Sequence, residues 1–222
     1  MTRLLLLGAT GRTGTRILRQ LLAYHDNIQV TAALRNSDDM PRLPETKRSF
    51  QTTVVDIENM DSLRKATSGA DIIVNTIRIP GETPPTALVE LDKRIRETVG
   101  NMRGRLIITV GGAGTFHMHN GKQLWQDPLF PKRSLPRGVA QAKLRDYLED
   151  IPQGSWAYLM PPPVYDPTGP RTGYYHEWDP SYDESDFLNS CISYEDFATA
   201  ACDAIREQWT GVHFIVGQES SN

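Results

Sequence analysis

The chain has 222 residues, 39% of them hydrophobic and 23% charged, which is the composition of an ordinary soluble globule long enough to bury a substantial core as one domain, 1–222. A net charge of −3 gives no sign of a basic face, so nucleic acid is not expected as a partner. The longest apolar stretches, such as Leu4–Leu7 and Leu106–Val110, are far too short to span a bilayer, so no membrane segment is expected.

The chain begins with an expected strand, Arg3–Leu7, without a charged-then-apolar leader, and no secretion signal is read there. The stretch "LLLLGATGRTG" then sets Gly8, Gly11 and Gly14 between this strand and an expected helix, Arg12–Tyr24. Glycine loses the most conformational freedom on folding, so three in one turn imply a turn that side chains would block. In a strand–turn–helix unit the first permits the tight turn, the second lets backbone approach a pyrophosphate, and the third lets helix pack on strand. Amides around Arg12 and Thr13, with Thr10 beside them, would face that anion at the helix start. The spacing therefore predicts a dinucleotide site, whereas plain turn-forming glycines are the structural alternative. No Gly-Lys-Ser/Thr follows, which excludes a P-loop.

The second expected strand, Gln29–Leu34, ends at Arg35, where an NAD-preferring site would carry an acid. Guanidinium groups at Arg35 and Arg12 suit a ribose 2′-phosphate, and Asn36 and Ser37 add neutral donors, so NADP(H) is expected over NAD(H). The alternative leaves both arginines in solvent and has Asp38 or Asp39 reach the ribose. After the third strand, Thr52–Val55, Asp56 is a candidate acceptor for an adenine amino group and Ile57 a candidate ring contact; a turn or cap aspartate is the alternative. A helix is expected at Asp61–Thr67 and a strand at Asp71–Thr76. "NTIRIPG", with Thr76 and Arg78, would then lie alongside the cofactor.

The helix expected at Pro84–Val99 spaces Leu88, Leu91, Ile95 and Val99 three and four apart, and the strand Leu106–Val110 follows. Gly111 and Gly112 in "VGGAG" would present backbone near a nicotinamide. Residues 111–135 then read as irregular, a length that is usually functional. His117 and His119 there lack a nearby third ligand, so no metal is expected; His117 is instead a candidate proton donor. The helix Pro136–Leu148 carries Lys143, a candidate for the nicotinamide ribose and for catalysis, or simply a solvated lysine. The strand Trp156–Met160 leads into Pro161–Pro163, a rigid corner placing Val164 against the nicotinamide. Residues 161–192 read as a second irregular segment, in which Tyr174, Tyr175 and Trp178 offer stacking surface for a planar substrate or serve as packing. Ser193 and Asp196 frame the start of the last helix, Tyr194–Gln208, and Gly211 precedes the final strand, Val212–Val216. Cys191 and Cys202, eleven apart, have no metal or redox spacing, so a reducing cytoplasm is the expected setting.

Strand–helix alternation of this kind predicts an α/β fold with a parallel sheet covered on both faces, and ligands at the carboxyl ends of its strands. "GATGRTG", "ALRNS", "TVGGAG", "MPPPVYDPTGPRTGYY" and "ISYEDFATAACDAI" together resemble the atypical short-chain dehydrogenase/reductase group. More narrowly they resemble its NAD(P)H-binding, NADH-flavin reductase-like branch, with biliverdin-IXβ/flavin reductase and NmrA-like proteins as relatives. The likeness runs from Leu4 to Val216. It implies a doubly wound Rossmann domain with a small substrate lobe from the late loops and C-terminal segments. It also implies NAD(P)H held through Gly8, Gly11, Gly14 and Arg35.

In one respect the chain departs from the wider group. Val139, not tyrosine, stands four residues before Lys143, so the Tyr-x-x-x-Lys proton-donor pair is absent. Carbonyl reduction and sugar-nucleotide epimerisation are thereby disfavoured, whereas a flavin acceptor can take its proton from solvent. The expected activity is reduction of flavin or a similar planar, conjugated small molecule by NADPH. The alternative is a non-catalytic NADP(H) sensor of the NmrA-like type.

Overall fold

β1 (Thr2–Leu7) and α1 (Arg12–Tyr24) flank the glycine-rich turn in a computed structural model that describes residues 1–78 and 84–217. β2 (Ile28–Leu34), β3 (Gln51–Val54), α2 (Met60–Thr67), β4 (Ile72–Asn75), α3 (Ala87–Val99) and β5 (Leu106–Val110) follow in alternation. Then come α4 (Leu135–Glu149), β6 (Trp156–Met160), β7 (Val164–Asp166), β8 (Tyr175–Glu177), α5 (Glu184–Asn189), β9 (Cys191–Ser193), α6 (Tyr194–Glu207) and β10 (Gly211–Gly217). The main sheet runs β3-β2-β1-β4-β5-β6-β10-β8, parallel throughout except for β8, which pairs antiparallel with β10. This is the doubly wound α/β architecture.

The four leucines of β1 show why the strand is apolar without alternation. Leu4 and Leu6 face Ile17, Leu18 and Leu21 of α1 and Phe197 and Ala201 of α6. Leu5 and Leu7 face Leu63 of α2 and Leu91 and Ile95 of α3. A strand with helices on both faces buries every side chain. Under α4 a third cluster joins Leu144 and Leu148 to Phe116, Trp178, Phe187 and Phe214. α1 and α6 are tied by Gln20, whose amide donates to the Glu195 carbonyl at 2.8 Å and accepts from Thr199 Oγ1 at 2.9 Å.

Two regions depart from the sequence expectation. Residues 161–192 are not irregular throughout: β7 pairs in parallel with β9 in a separate two-stranded sheet, and β8 extends the main sheet by one strand. Each is three residues long and finds its partner far along the chain, so no local periodicity announces it. Residues 111–135 contain short 3₁₀ turns at Ala113–Thr115, Leu124–Gln126 and Lys132–Ser134, and a bridge joins His117 to Gln123. The third helix starts at Ala87 rather than Pro84. Ile79, Pro80 and Gly81 of "NTIRIPG" lie outside the described residues.

Candidate functional site

Strand order reverses between β1 and β4, and the turns that follow these strands meet at that switch point. Gly8 has φ +78°, a left-handed conformation that favours glycine, and a Cβ on it would come within 2.7 Å of Thr76 Oγ1. Thr76 hydroxyl donates to the carbonyls of Leu7 and Gly8 at 2.9 and 3.1 Å. A Cβ on Gly14 would collide with the Gly8 carbonyl oxygen, so the third glycine lets α1 close onto β1. Gly11 amide bonds the Gly8 carbonyl at 2.8 Å. Gly11 is also the N-cap of α1; it offers no side-chain cap, and the first turn carries no acid. The amides at this helix start therefore remain available to an anion.

From this turn a cleft of about 970 Å³ opens along the carboxyl ends of β1, β4, β5 and β6, the size of a small-molecule or cofactor site. Of the residues expected from sequence, Arg12, Thr13, Thr76, Arg78, Gly111, Gly112 and Pro161 line it. Gly111 carries no side chain because a Cβ there would strike the ring of Tyr158. Tyr158 is fully buried; its hydroxyl donates to Gln141 Oε1 at 2.9 Å and accepts from Gly112 N–H at 3.3 Å. Burial pushes this phenol up to about 12.

The adenosine-side candidates sit outside the cleft wall at the ends of β2 and β3. Arg35, Asn36 and Ser37 are exposed beyond β2. Arg42 pairs with Asp39 at 2.7 Å and reaches the Thr10 carbonyl at 3.4 Å, so Asp39 already has a cationic partner. Asp56 holds its own turn, accepting from Glu58 N–H at 2.9 Å, and Ile57 is half-buried beside α2 and α3.

Several candidates stand elsewhere. Lys143 is exposed and does not line the cleft; α4 presents Arg137, Gly138, Ala140 and Gln141 instead. At about 100° per residue Lys143 lies ~200° around the helix from Gln141. His117 is exposed, with Nε2 2.8 Å from the Gln123 amide nitrogen, and braces its own loop. Val164 lies exposed on β7.

Tyr174, just before β8, is exposed, while the Tyr175 hydroxyl donates to Asp203 at 2.8 Å, because β8 starts at Tyr175 on the sheet edge beside α6. Trp178 is buried against Phe116, Phe187 and Phe214, a core position rather than a substrate roof. Among the described residues no group of three or more His, Cys, Asp or Glu could hold a metal.

The aromatic wall comes from Tyr165 and Tyr194, whose rings stack with centroids 3.7 Å apart and 10° between planes. The Tyr165 and Thr13 hydroxyls are 3.0 Å apart, joining this wall to the glycine turn, and Arg16 lies over the Tyr194 ring at 5.4 Å. Burial raises the Tyr165 pKa well above the usual phenol value, opposed by the Thr13 hydrogen bond. Sequence reasoning missed Tyr165, Tyr194, Arg137 and Gln141. Tyr165 and Tyr194 stand inside the quoted motifs "PPPVYDP" and "ISYEDFA", but only the β7–β9 pairing brings them together.

Comparison with known proteins agrees with this geometry. The profile of the NAD(P)H-binding family matches residues 8–208. "Uncharacterized protein YwnB" of Bacillus subtilis (strain 168) is 28% identical over 205 residues, covering 90% of each chain. A Streptococcus pneumoniae TIGR4 structure described as a "putative NADH-flavin reductase" has a TM-score of 0.76 and 20% identity, covering 98% of this chain and all of that one. A Bacteroides thetaiotaomicron structure described as a "putative epimerase" has a TM-score of 0.78 and 23% identity, covering 100% of this chain and 99% of that one. At these identities the two structures share the fold.

Proposed function

The chain belongs to the NAD(P)H-binding family, and from that premise we propose that it is an oxidoreductase using NADPH to reduce a flavin or a similar planar, conjugated small molecule. One observation carries this reading: a single cleft joins a turn with glycine at positions 8, 11 and 14, at an uncapped helix start, to the stacked Tyr165–Tyr194 wall. The turn from Gly8 to Gly14, with the amides of Arg12 and Thr13, would hold the pyrophosphate. Arg35, Asn36 and Ser37 would take the adenosine ribose and its 2′-phosphate. Of the two competing ribose acceptors, Asp38 and Asp39, the second is engaged by Arg42. Asp56 and Ile57 would border the adenine. Bound NADPH supplies a hydride at its nicotinamide ring.

The chain's own groups orient and enclose. Gly111, Gly112 and Pro161 bound the end of the cleft beside β5 and β6, and Thr13 holds Tyr165 in place. Tyr165, with its raised pKa, keeps its proton and borders the cleft together with Tyr194. Among the described residues no histidine lines the cleft. Arg137 and Gln141, four residues apart on α4, face the cleft at the spacing a Tyr-x-x-x-Lys pair would use. Neither donates a proton at neutral pH, so the proton comes from solvent, which suits a flavin better than a carbonyl.

Stopped-flow oxidation of NADPH and NADH with FMN, FAD, riboflavin and biliverdin tests this. Turnover with at least one acceptor, faster with NADPH, is expected. Tight NADP binding without any oxidation would replace the enzyme by a non-catalytic sensor. Arg35→Ala should raise the KM for NADPH and spare NADH; equal effects on both would remove the 2′-phosphate assignment.

A further inference from the structure

A protein with a net charge of −3 lines this cleft with Arg12, Arg78, Arg133 and Arg137, against a single carboxylate, Asp127, among the described residues. Asp127 is turned into its own loop, where it accepts from Leu129 N–H at 2.7 Å. Arg137 is half-buried in the first turn of α4, where the helix dipole opposes a cation. Its pKa is lowered, first by that burial and then by the nearby Arg78 guanidinium, with Arg133 adding to the effect and only Tyr194 opposing it. Among the described residues no carboxylate compensates Arg137. Like charges gathered in a partly desolvated cleft make a site that an anion would complete.

The cofactor's own anions would engage Arg12 at the glycine turn but do not account for Arg133 and Arg137. Its pyrophosphate belongs to the turn after β1 and its ribose phosphate to the end of β2. Arg133 and Arg137 follow β5, and β2 and β5 are separated by β1 and β4. Three steps of about 4.8 Å put these ends ~14 Å apart. Arg133, in the turn before α4, and Arg137, in its first turn, therefore lie on the nicotinamide side, where the acceptor would sit.

We infer that Arg133 and Arg137 select acceptors that carry a phosphate or carboxylate group beside their planar ring system. This rests on the cleft being an oxidoreductase site and names the substrate class within it. Guanidinium groups give paired donors matched to either anion, and the Tyr165–Tyr194 pair borders the same cleft for the ring to pack against.

The test uses pairs of probes that differ only in the anion: FMN against riboflavin, and biliverdin against its dimethyl ester. Binding to the full chain loaded with NADP⁺ is followed by calorimetry. The anionic member of at least one pair should bind at least about tenfold more tightly, as expected for hydrogen bonds to a charged group, and added salt should shrink the ratio. Arg137→Gln and Arg133→Gln should bring the ratio towards one, and Arg137→Lys should retain part of it. If Arg137→Gln does not fold, as judged by circular dichroism, the exposed Arg133→Gln carries the comparison. Equal binding within both pairs, no binding of any probe, or a ratio that survives Arg133→Gln would overturn the inference. NADPH oxidation by the same chains with the same probes, in separate samples without NADP⁺, reports on the reductase reading. Turnover of the probes with equal binding within both pairs would leave that reading standing and remove only the anion preference.

Discussion

Gly14 has no room for a side chain, because any Cβ would collide with the carbonyl oxygen that Gly8 turns towards α1. Gly14→Ala must therefore push α1 away from β1. It should lower stability by about 1–3 kcal/mol, as overpacking does, and weaken NADPH binding by at least about tenfold, since a 1 Å displacement of a site can cost that much or more. Thermal unfolding and fluorescence titration check both; normal affinity would mean that the turn does not touch the cofactor.

Asp92 illustrates a constraint of another kind. It is buried on α3 beside Arg96, and burial raises its pKa despite that partner. The folded state thus binds this proton more tightly than the unfolded chain, whose carboxyl titrates near ~3.9. Its contribution is present below that value and is lost as pH climbs through the raised folded pKa. Asp92→Asn lacks this loss, so the variant should gain on the parent chain as pH rises from 4 to 7. Melting temperatures with a constant difference across that range would contradict the assignment.

Helix α6 is the element that organises the late segment. Asp196, buried in its first turn, accepts from the Thr172 and Gly173 amides and from Thr172 Oγ1, each at 2.8 Å. The sequence reading assigned Asp196 only a place in the helix cap, where its amide does bond Ser193 Oγ at 2.9 Å. Its carboxylate does more, pinning the approach to β8. Asp196→Ala leaves three donors without their partner and should cost about 2–4 kcal/mol, one to two such penalties. Hydrogen exchange should rise at residues 172–178 before it rises in the central strands. Uniform exchange across the chain would show that the segment is held by something else. The same segment explains why Tyr174 and Tyr175, the conspicuous pair in the sequence, do not line the cleft: Tyr175 pairs with Gly217 of β10, which carries it and the preceding Tyr174 to the sheet edge. Tyr165 and Tyr194, separated along the chain, meet because β7 lies beside β9.

At the scale of the whole molecule, the dinucleotide would span the switch point and tie the β2–β3 side of the sheet to the β5–β6 side. Binding only to the folded chain stabilises it by RT ln(1 + [L]/Kd), about 2.7 kcal/mol at a hundredfold excess over Kd. For a chain of this length that is a rise in Tm of roughly 5–10 °C. NADP⁺ should give a larger rise than NAD⁺ at equal concentration; equal shifts would remove the preference for the phosphorylated cofactor.

Much of this architecture can be read from the chain alone. The apolar runs of β1, β4, β5 and β6, the helices between them and the glycine turn are set by burial and backbone constraints acting within a few residues. Such constraints leave a local mark on the sequence. What lies across the cleft leaves none. The Tyr165–Tyr194 stack, the Asp196 anchor, the facing of Arg137 and Gln141 and the solvent-facing position of Lys143 depend on which short strands pair and how α4 is rotated. Those are contacts between distant residues, and only the folded chain brings them together.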